Sequence, residues 1–178
     1  MRVYTDASTR GGLSGIAFVV TDSRDVELYK KGVVIAQRDN NTAELSAVSF
    51  ALEDIQYMDK KHVTIFTDSI YVINALRCGL CRKNEKELVN KIKKQMAETK
   101  SSLMWIKGHY QDGSVLSYYN KRADKMSKVV RRQYEKQIKA AKKARLRELQ
   151  QQKANSNIGY KSKFDIIREA IWNKDRLS

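Results

Sequence analysis

The first 37 residues of the chain show the alternation of apolar and polar positions that is typical of β-strands. Residues 2–7 alternate, residues 15–20 form a short apolar run with β-branched and aromatic side chains, and residues 28–36 form a third run. The connections between these runs are short and rich in Gly, Asp, Ser and Thr, as turns are. Because short connections favour antiparallel pairing, the pattern predicts three strands in an antiparallel meander.

A helical period follows the three predicted strands. Residues 39–42 are of the types that cap helix N-termini, and Val48, Leu52 and Ile55 then repeat at helical spacing in a helix that ends near residue 58. The elements predicted after it are a strand at residues 63–67, helices at residues 69–76 and 85–99, and a strand at residues 103–107. This order predicts a mixed sheet with helices packed against it.

The last third of the chain is predicted to be mostly helical. A helical pattern runs from about residue 120 to about residue 153, but beyond Tyr134 it has no clear apolar stripe and is rich in Lys, Arg, Ala and Gln. Residues 155–159 are interpreted as a linker, and residues 164–172 as a short amphipathic segment. The predicted parts are therefore a compact domain at residues 1–130, a basic helical extension at residues 131–154, and a linker with a short segment at residues 155–178.

The positive charge is concentrated in this last third. The chain has 35 Lys and Arg residues against 20 Asp and Glu residues, a net charge of +15, and residues 121–178 hold 18 of the basic but 6 of the acidic side chains. This surplus indicates a polyanionic partner, with nucleic acid as the first candidate and an anionic membrane surface as the second. No apolar run of about 18 residues and no secretory leader is present, so we expect no membrane span.

The two cysteines, Cys78 and Cys81, form a single C-x-x-C pattern. Without a second pair or a nearby His, a zinc site would lack ligands and a disulfide scaffold would lack cysteines. We interpret them as incidental thiols in a reducing compartment and expect a cytoplasmic location. A thiol-redox role for the pair is the alternative.

Four carboxylates stand at positions where the local pattern argues against an acid. Asp6 lies inside the first predicted strand, and Glu44 lies on the core-facing stripe of the first helix. Asp68 follows an apolar strand directly, and Asp124 lies in the first turns of the predicted long helix. Taken singly, Asp68 could cap the next helix and Asp124 could interact with a helix dipole. A core-facing glutamate such as Glu44 must be paired or bound to a metal ion.

Four carboxylates near one sheet would repel one another, and divalent cations are the usual compensation. Oxygen ligands without a Cys or His cluster favour Mg²⁺ or Mn²⁺ over zinc. An acidic cluster beside a basic surface suggests hydrolysis of a phosphodiester with two metal ions.

Several segments resemble, in their order along the chain, the motifs of the type 1 ribonuclease H family. They are residues 4–8 (YTDAS), 40–45 (NNTAEL), 66–72 (FTDSIYV), 105–109 (WIKGH) and 120–124 (NKRAD). The resemblance covers residues 1 to about 130 and makes this part the expected catalytic domain. It implies an α/β, ribonuclease H-like fold with a five-stranded mixed sheet, three antiparallel strands followed by two parallel ones, flanked by helices and followed by the basic C-terminal helical extension.

The resemblance also implies an activity, the hydrolysis of the RNA strand of an RNA–DNA hybrid with 5′-phosphate and 3′-hydroxyl products. Asp6 would bridge two Mg²⁺ ions, for which Mn²⁺ would substitute, and Asp124 would share the ion that activates the attacking water. Glu44 and Asp68 would hold the ion that stabilises the leaving 3′-oxyanion. His109 would assist proton transfer or product release, or it would be an ordinary loop histidine.

The expected nucleic-acid contacts are of two kinds. Those implied by the resemblance are Ser8, Thr9, Arg10, Asn40, Asn41 and Ser69. Short polar side chains can bind the ribose 2′-hydroxyls that distinguish RNA from DNA. Those expected from the basic extension are Arg131, Arg132, Lys136 and Lys139.

The sequence departs from the family pattern at two points. The basic, Trp-containing protrusion that many bacterial members carry before the histidine is missing, and we expect the basic extension to replace it in binding the hybrid. The loop at residues 110–119 looks longer than usual, which leaves the position of His109 over the cleft open.

Two other functions remain open, and so does the role of the C-terminal segment. The chain could be a nucleic-acid-binding module with the same fold and little or no catalysis, or a related nuclease or recombinase that acts on other nucleic acids. Residues 164–172 could pack on the domain or dock on a protein partner.

Overall fold

The computed structural model describes residues 1–37, 39–58, 62–108 and 113–174, with side chains up to residue 155. Its central element is a five-stranded mixed sheet. The strands are β1 (Arg2–Arg10), β2 (Leu13–Thr21), β3 (Glu27–Ile35), β4 (Thr64–Thr67) and β5 (Ser102–Trp105). They lie in the order β3-β2-β1-β4-β5, in which β1, β2 and β3 pair antiparallel and β4 and β5 join as parallel strands. The predicted fold class is thereby confirmed.

The first hairpin is longer than the sequence pattern predicts. Gly11 and Gly12 have φ angles of 58° and 84°, the left-handed conformation that a two-residue hairpin turn requires and that glycine adopts without strain. The ladder therefore continues until Arg10 lies opposite Leu13. Residues 8–10 belong to β1 and not to the loop after it.

The two faces of the sheet bury different sets of residues. On one face lie α1 (Asn40–Ile55), α2 (Ile70–Cys78) and α3 (Lys86–Glu98). The core on this face includes Val3, Phe18, Val20, Leu45, Val48, Leu52, Ile65, Val72 and Ile92. On the other face, Tyr4, Val19 and Phe66 pack against Tyr119 and Ala123 of the last helix, α4 (Val115–Lys174).

The last helix is longer at both ends than the sequence predicts. α4 spans Val115–Lys174, so it begins before residue 120 and continues through the expected linker at residues 155–159. The hydroxyl of Ser114 accepts a hydrogen bond at 3.2 Å from the backbone N–H of Ser117 and thereby caps the early start. The chain contains no proline, and a single glycine such as Gly159 weakens a helix without ending it.

The chain forms two compact units, Met1–Tyr134 and Glu135–Ser178. The first unit contains the sheet, α1 to α3 and residues 115–134 of α4, and the second contains the helical residues 135–174. The predicted domain boundaries at residues 130 and 154 remain predictions. Over the described part of the chain, no helix combines the length and the apolar character that crossing a membrane requires.

A buried carboxylate, Glu85, ties the start of α1 to the segment before α3. The Thr42 hydroxyl donates to Glu85 Oε1 at 2.6 Å, the backbone N–H of Arg82 donates to Oε2 at 3.0 Å, and the Tyr71 hydroxyl also donates to Oε2. Burial alone would raise the pKa of Glu85, but these hydrogen bonds outweigh it and hold the pKa below its ordinary value. This ionised side chain holds Thr42 in the first turn of α1, two residues before Glu44.

Candidate active site

Strand register places two of the four predicted carboxylates side by side. β1 and β4 are parallel neighbours with Tyr4 opposite Phe66, and the two rings stack with their centroids 5.0 Å apart. Because side chains alternate along a strand, Asp6 and Asp68, each two residues further on, lie on the same face as these rings. Asp6 therefore lies in the middle of β1, just beyond the last residue paired with β4, and Asp68 directly follows β4.

Glu44 reaches the same place from the first helix. α1 is capped by Asp39, whose carboxylate accepts a hydrogen bond from the backbone N–H of Thr42 at 2.9 Å. Asn40 is therefore the first residue of the helix and not its cap. Glu44 is 5% exposed and accepts hydrogen bonds from the backbone N–H of Ala7 and from the Asn40 side chain. These contacts hold its carboxylate beside Ala7, in the middle of β1.

Asp6, Glu44 and Asp68 form a cluster that could hold a metal ion. One carboxylate oxygen from each lies within 4.8 Å of the others. Glu44 Oε2 is buried and has no hydrogen-bond partner among the described residues. A buried carboxylate oxygen without a donor is costly, and a divalent cation is the compensation that an all-oxygen donor set favours. We conclude that these residues fit a hard divalent cation.

The electrostatics of the cluster agree with this conclusion. Burial raises the pKa of Asp6 to about 8. A hydrogen bond from Ser127 opposes this shift, and the charges of Asp124 and Asp68 reinforce it. Burial and the neighbouring charges of Asp6 and Asp68 raise the pKa of Glu44 well above its ordinary value. The cluster is thus unfavourable as a set of bare charges, and a bound cation would stabilise its ionised form.

The affinity of the cluster for a divalent cation should therefore rise with pH. A raised pKa leaves Asp6 protonated below about pH 8, and a cation must displace that proton to bind. Below that pKa we expect roughly tenfold tighter Mg²⁺ or Mn²⁺ binding per pH unit for each proton released. Calorimetric titration in two buffers of different ionisation enthalpy measures both the affinity for the cation and the number of protons released on binding. Binding that is independent of pH and releases no proton would contradict the account.

The first turns of α4 present a polar face to these carboxylates. Asn120, Asp124, Ser127 and Arg131 recur at helical spacing, and Asn120, Ser127 and Arg131 are buried. The Asn120 side-chain N–H donates to Asp68 Oδ2 at 3.1 Å. This face brings Asp124, the fourth predicted acid, near Asp6, where its charge raises the Asp6 pKa.

Asp124 lies deeper in its helix than the sequence predicts. Because α4 begins at Val115, Asp124 lies well past the first turn, where a helix dipole no longer acts appreciably. Its carboxylate forms a salt bridge with Lys128, whose Nζ lies 2.5 Å from Oδ1. The dipole explanation for Asp124 therefore fails, and the helix start predicted at residue 120 is corrected.

Ser127 and Asn120 are functional candidates that the sequence analysis does not single out. The Ser127 hydroxyl is buried, lies 2.5 Å from Asp6 Oδ2 and also lies 2.9 Å from the backbone carbonyl oxygen of Asp124. Asn120 and Ser127 precede and follow Asp124 by four and three residues, the spacing of one helix face. That spacing around a predicted catalytic acid is the signal that could have identified them.

Replacing Ser127 with Ala should weaken metal binding and slow the reaction. The hydrogen bond from Ser127 lowers the pKa of Asp6, so its loss raises that pKa further and disfavours the ionised carboxylate. For one charge-assisted hydrogen bond we expect about a tenfold loss in activity at neutral pH, recovered in part at higher pH or metal concentration. Ser49→Ala is the matched control, because Ser49 is also buried but bonds Gln95 at 3.2 Å. Equal effects of the two substitutions would contradict the assignment.

The backbone of Asp68 accepts a hydrogen bond, and its carboxylate is closely packed against Gly108. The Trp105 indole N–H donates to the carbonyl oxygen of Asp68 at 3.2 Å. A Cβ atom at Gly108 would lie 2.6 Å from Asp68 Oδ2. The hydroxyl of Ser69 accepts a hydrogen bond from the Val72 N–H at 3.3 Å, so Ser69 caps α2 and leaves the Asp68 carboxylate free of that role. The cap explanation for Asp68 is therefore excluded.

Five of the six nucleic-acid contacts implied by the resemblance lie in the last part of β1 and at the start of α1, and the sixth, Ser69, caps α2. Ser8, Thr9 and Arg10 are in the last part of β1, where Thr9 and Ser14 hydroxyls hydrogen-bond at 2.6 Å and Arg10 is exposed. Asn40, which bonds Glu44, is exposed and begins α1 beside Asn41. Asn40 and Asn41 precede Glu44 by four and three residues in the sequence, and they remain predicted substrate contacts.

The four basic residues expected to contact nucleic acid differ in exposure. Arg131 is 6% exposed, and its Nε–H donates to Ser8 Oγ at 3.2 Å, which ties α4 to β1. Arg132, Lys136 and Lys139 are exposed on α4. His109 lies outside the described residues, as do residues 110–112 of the loop after it, so its predicted role stays a prediction.

Comparisons with known proteins agree with this architecture. The family model described as RNase H matches residues 1–132. No curated protein sequence matches the chain.

Several solved structures are similar in fold. LC11-RNase H1, isolated from compost by a metagenomic approach, is 26% identical with a TM-score of 0.64 over 75% of this chain and 96% of its own. The same protein in complex with an RNA/DNA hybrid is 24% identical with a TM-score of 0.64, over 75% of this chain and 97% of its own. RNase H1 from the halophilic archaeon Halobacterium salinarum NRC-1 is 18% identical with a TM-score of 0.62, over 72% of this chain and 95% of its own.

Proposed function

Because the chain belongs to the RNase H family, whose model matches residues 1–132, we propose that it hydrolyses the RNA strand of RNA–DNA hybrids. The observation that carries the proposal is the cluster of Asp6, Glu44 and Asp68, with one carboxylate oxygen of each within 4.8 Å of the others. A similar structure, LC11-RNase H1, was solved in complex with an RNA/DNA hybrid. The bond broken would be a phosphodiester of the RNA, with a 5′-phosphate and a 3′-hydroxyl as products.

Asp6, Glu44, Asp68 and Asp124 would hold the divalent cations, in our proposal two Mg²⁺ ions that Mn²⁺ could replace. Such cations supply Lewis-acid activation of water and offset negative charge on the leaving oxygen. The donor set supports this assignment, because it is made of oxygen atoms and leaves Glu44 Oε2 without a protein partner among the described residues.

The chain's own residues would position the reacting groups. The Ser127 hydroxyl, at 2.5 Å, orients Asp6, and the Asn120 amide, at 3.1 Å, orients Asp68. Such fixed side chains reduce the reorganisation needed when the reaction begins. Asn40 and Asn41 would contact the hybrid, together with the polar end of β1, and His109 would assist proton transfer or product release.

The second candidate function is the binding of nucleic acid with little or no catalysis. The observation that favours it is the Lys128–Asp124 salt bridge, in which Nζ lies 2.5 Å from Oδ1 and occupies a carboxylate that the reaction would use. In that case the chain would bind the hybrid tightly and cut it slowly. The cytoplasmic location and the docking of residues 164–172 on a protein partner also remain proposals.

A panel of labelled substrates tests the proposed function. The full chain is incubated with Mg²⁺ and an RNA–DNA hybrid, single-stranded RNA, duplex RNA or duplex DNA of one sequence, and the ends of the products are identified. We expect cleavage of the hybrid alone, in its RNA strand, with 5′-phosphate ends. Cleavage of duplex DNA or single-stranded RNA at a comparable rate would overturn the proposal, and tight binding without cleavage would favour the second candidate.

A further inference from the structure

The second unit carries an exposed stripe of positive charge that contributes no residue to the acidic cluster. Residues 135–178 hold 12 Lys and Arg residues against 5 Asp and Glu residues. Lys136, Lys139, Lys143 and Arg147 are all exposed. Their spacings of three, four and four residues place them on one face of α4. We call these four residues the basic stripe.

Three of the four charges of the basic stripe have no acidic neighbour at ion-pair spacing within their own helix. The positions three and four residues before and after Lys136, Lys143 and Arg147 hold no acidic residue. Those are the positions from which a helical neighbour could form an ion pair. Only Lys139 has an acid at this spacing, Glu135. Four like charges held on one face cost free energy through mutual repulsion, and a polyanion would relieve it.

From these observations we propose that the basic stripe binds the phosphate backbone of a nucleic-acid duplex as a second, sequence-independent contact of the protein. At a helical rise of about 1.5 Å per residue, the stripe is roughly 16 Å long, the axial length of about five base pairs. It can therefore meet several phosphates at once. The proposal rests on the proposed function only in taking an RNA–DNA hybrid as the physiological duplex.

A membrane surface fits the same helix less well. A helix that lies in a membrane interface needs a continuous apolar face opposite its charges. In residues 135–155 the large apolar side chains are Ile138, Leu146 and Leu149, and Arg145 falls at the helical spacing between Ile138 and Leu149. The apolar face is thereby interrupted, which favours nucleic acid.

The test is the salt dependence of hybrid binding by the full chain in the presence of a chelator, which prevents cleavage. The stripe variant replaces Lys136, Lys139, Lys143 and Arg147 with Gln. The control variant replaces the exposed first-unit residues Lys91, Lys93, Lys94 and Lys100 with Gln. Both lose the same formal charge, and Gln has a helix propensity close to that of Lys and Arg, which circular dichroism checks.

We expect the stripe variant to bind the hybrid at least about tenfold more weakly at moderate salt. The slope of log affinity against log salt should fall by up to about 3.6, since each of the four phosphate contacts contributes about 0.9. The control should change the slope by less than about 1. Equal slopes in the two variants, or loss of binding to anionic lipid vesicles with unchanged duplex binding, would overturn the proposal.

Cleavage assays separate this proposal from the proposed function. If the stripe acts in binding, its neutralisation raises KM and leaves kcat within about twofold, because no residue of the stripe belongs to the acidic cluster. A wild-type chain that binds duplexes through the stripe but cuts none would overturn the proposed function and leave the stripe proposal standing.

Discussion

Asp6→Asn should reduce hybrid cleavage by at least about 10³-fold while leaving the protein folded. The substitution removes a negative charge from the centre of the acidic cluster, and the several kcal/mol that bound cations contribute correspond to this loss. The asparagine side-chain oxygen can still accept the hydrogen bond that Ser127 donates at 2.5 Å. The measurement is the single-turnover cleavage rate of a labelled hybrid at saturating protein.

The thermal stability of the Asp6→Asn variant is a second measurement, and we do not expect it to fall with the activity. The pKa of Asp6 in the fold is about 8, above the ordinary value of 3.8, so the fold binds more protons than the unfolded chain between these values. Between these pH values the metal-free wild type loses stability as the pH rises, because Asp6 ionises. Asparagine does not ionise, so the variant keeps this part of its stability. We therefore expect its Tm at neutral pH, without metal, to equal or exceed that of the wild type.

Asp54→Asn is the matched control for this experiment. Asp54 lies on α1 and accepts a hydrogen bond from the Tyr29 hydroxyl at 2.9 Å, outside the acidic cluster. The same chemical change there should leave the cleavage rate within about twofold, because every residue of the acidic cluster stays in place. An active Asp6→Asn enzyme would contradict the assignment of Asp6.

The largest expected effect on stability comes from Gly15→Ala. A Cβ atom at Gly15 would lie 2.1 Å from the carbonyl oxygen of Ser127 and 3.0 Å from Cβ of Arg131. Both are on α4, and the nearest atom belongs to the backbone, so the helix must shift to make room. We expect a loss of about 3 kcal/mol in the free energy of unfolding and a Tm lower by about 10 °C.

Gly32→Ala, on the neighbouring strand, distinguishes this close contact from a general cost of alanine in the sheet. There the nearest atom is Cγ1 of Val130 at 3.1 Å, a side-chain methyl group that can move. We expect a loss of about 1 kcal/mol or less. Thermal unfolding of the two variants measures the difference, and equal Tm values would contradict the account of how α4 packs on β2.

The sequence predicts the acidic cluster because each of its residues breaks a simple local pattern. Asp6 interrupts an alternating strand and Glu44 interrupts an apolar helix stripe, and such interruptions are visible without any knowledge of tertiary structure. The sheet follows from the same reasoning, because short connections restrict the first three strands to antiparallel pairing. Both features depend on neighbours in the sequence.

The features that sequence reasoning misses depend on contacts between distant segments. Ser127 is an unremarkable helical serine until α4 packs on β1 and brings it 2.5 Å from Asp6. The burial of Arg131 and of Glu85 has the same origin, since a charged residue in a polar stretch is ordinarily exposed. The early start of α4 depends on the cap at Ser114, which a pattern of apolar positions does not reveal.

The measurement that tests the central claim most directly is hybrid cleavage as a function of divalent cation, with the RNA and the DNA strand carrying different labels. We predict no cleavage in a chelator, cleavage of the RNA strand alone when Mg²⁺ is restored, and an intact DNA strand throughout. Cleavage that persists in the chelator, or equal cleavage of both strands, would contradict a cation-dependent site built on Asp6, Glu44 and Asp68.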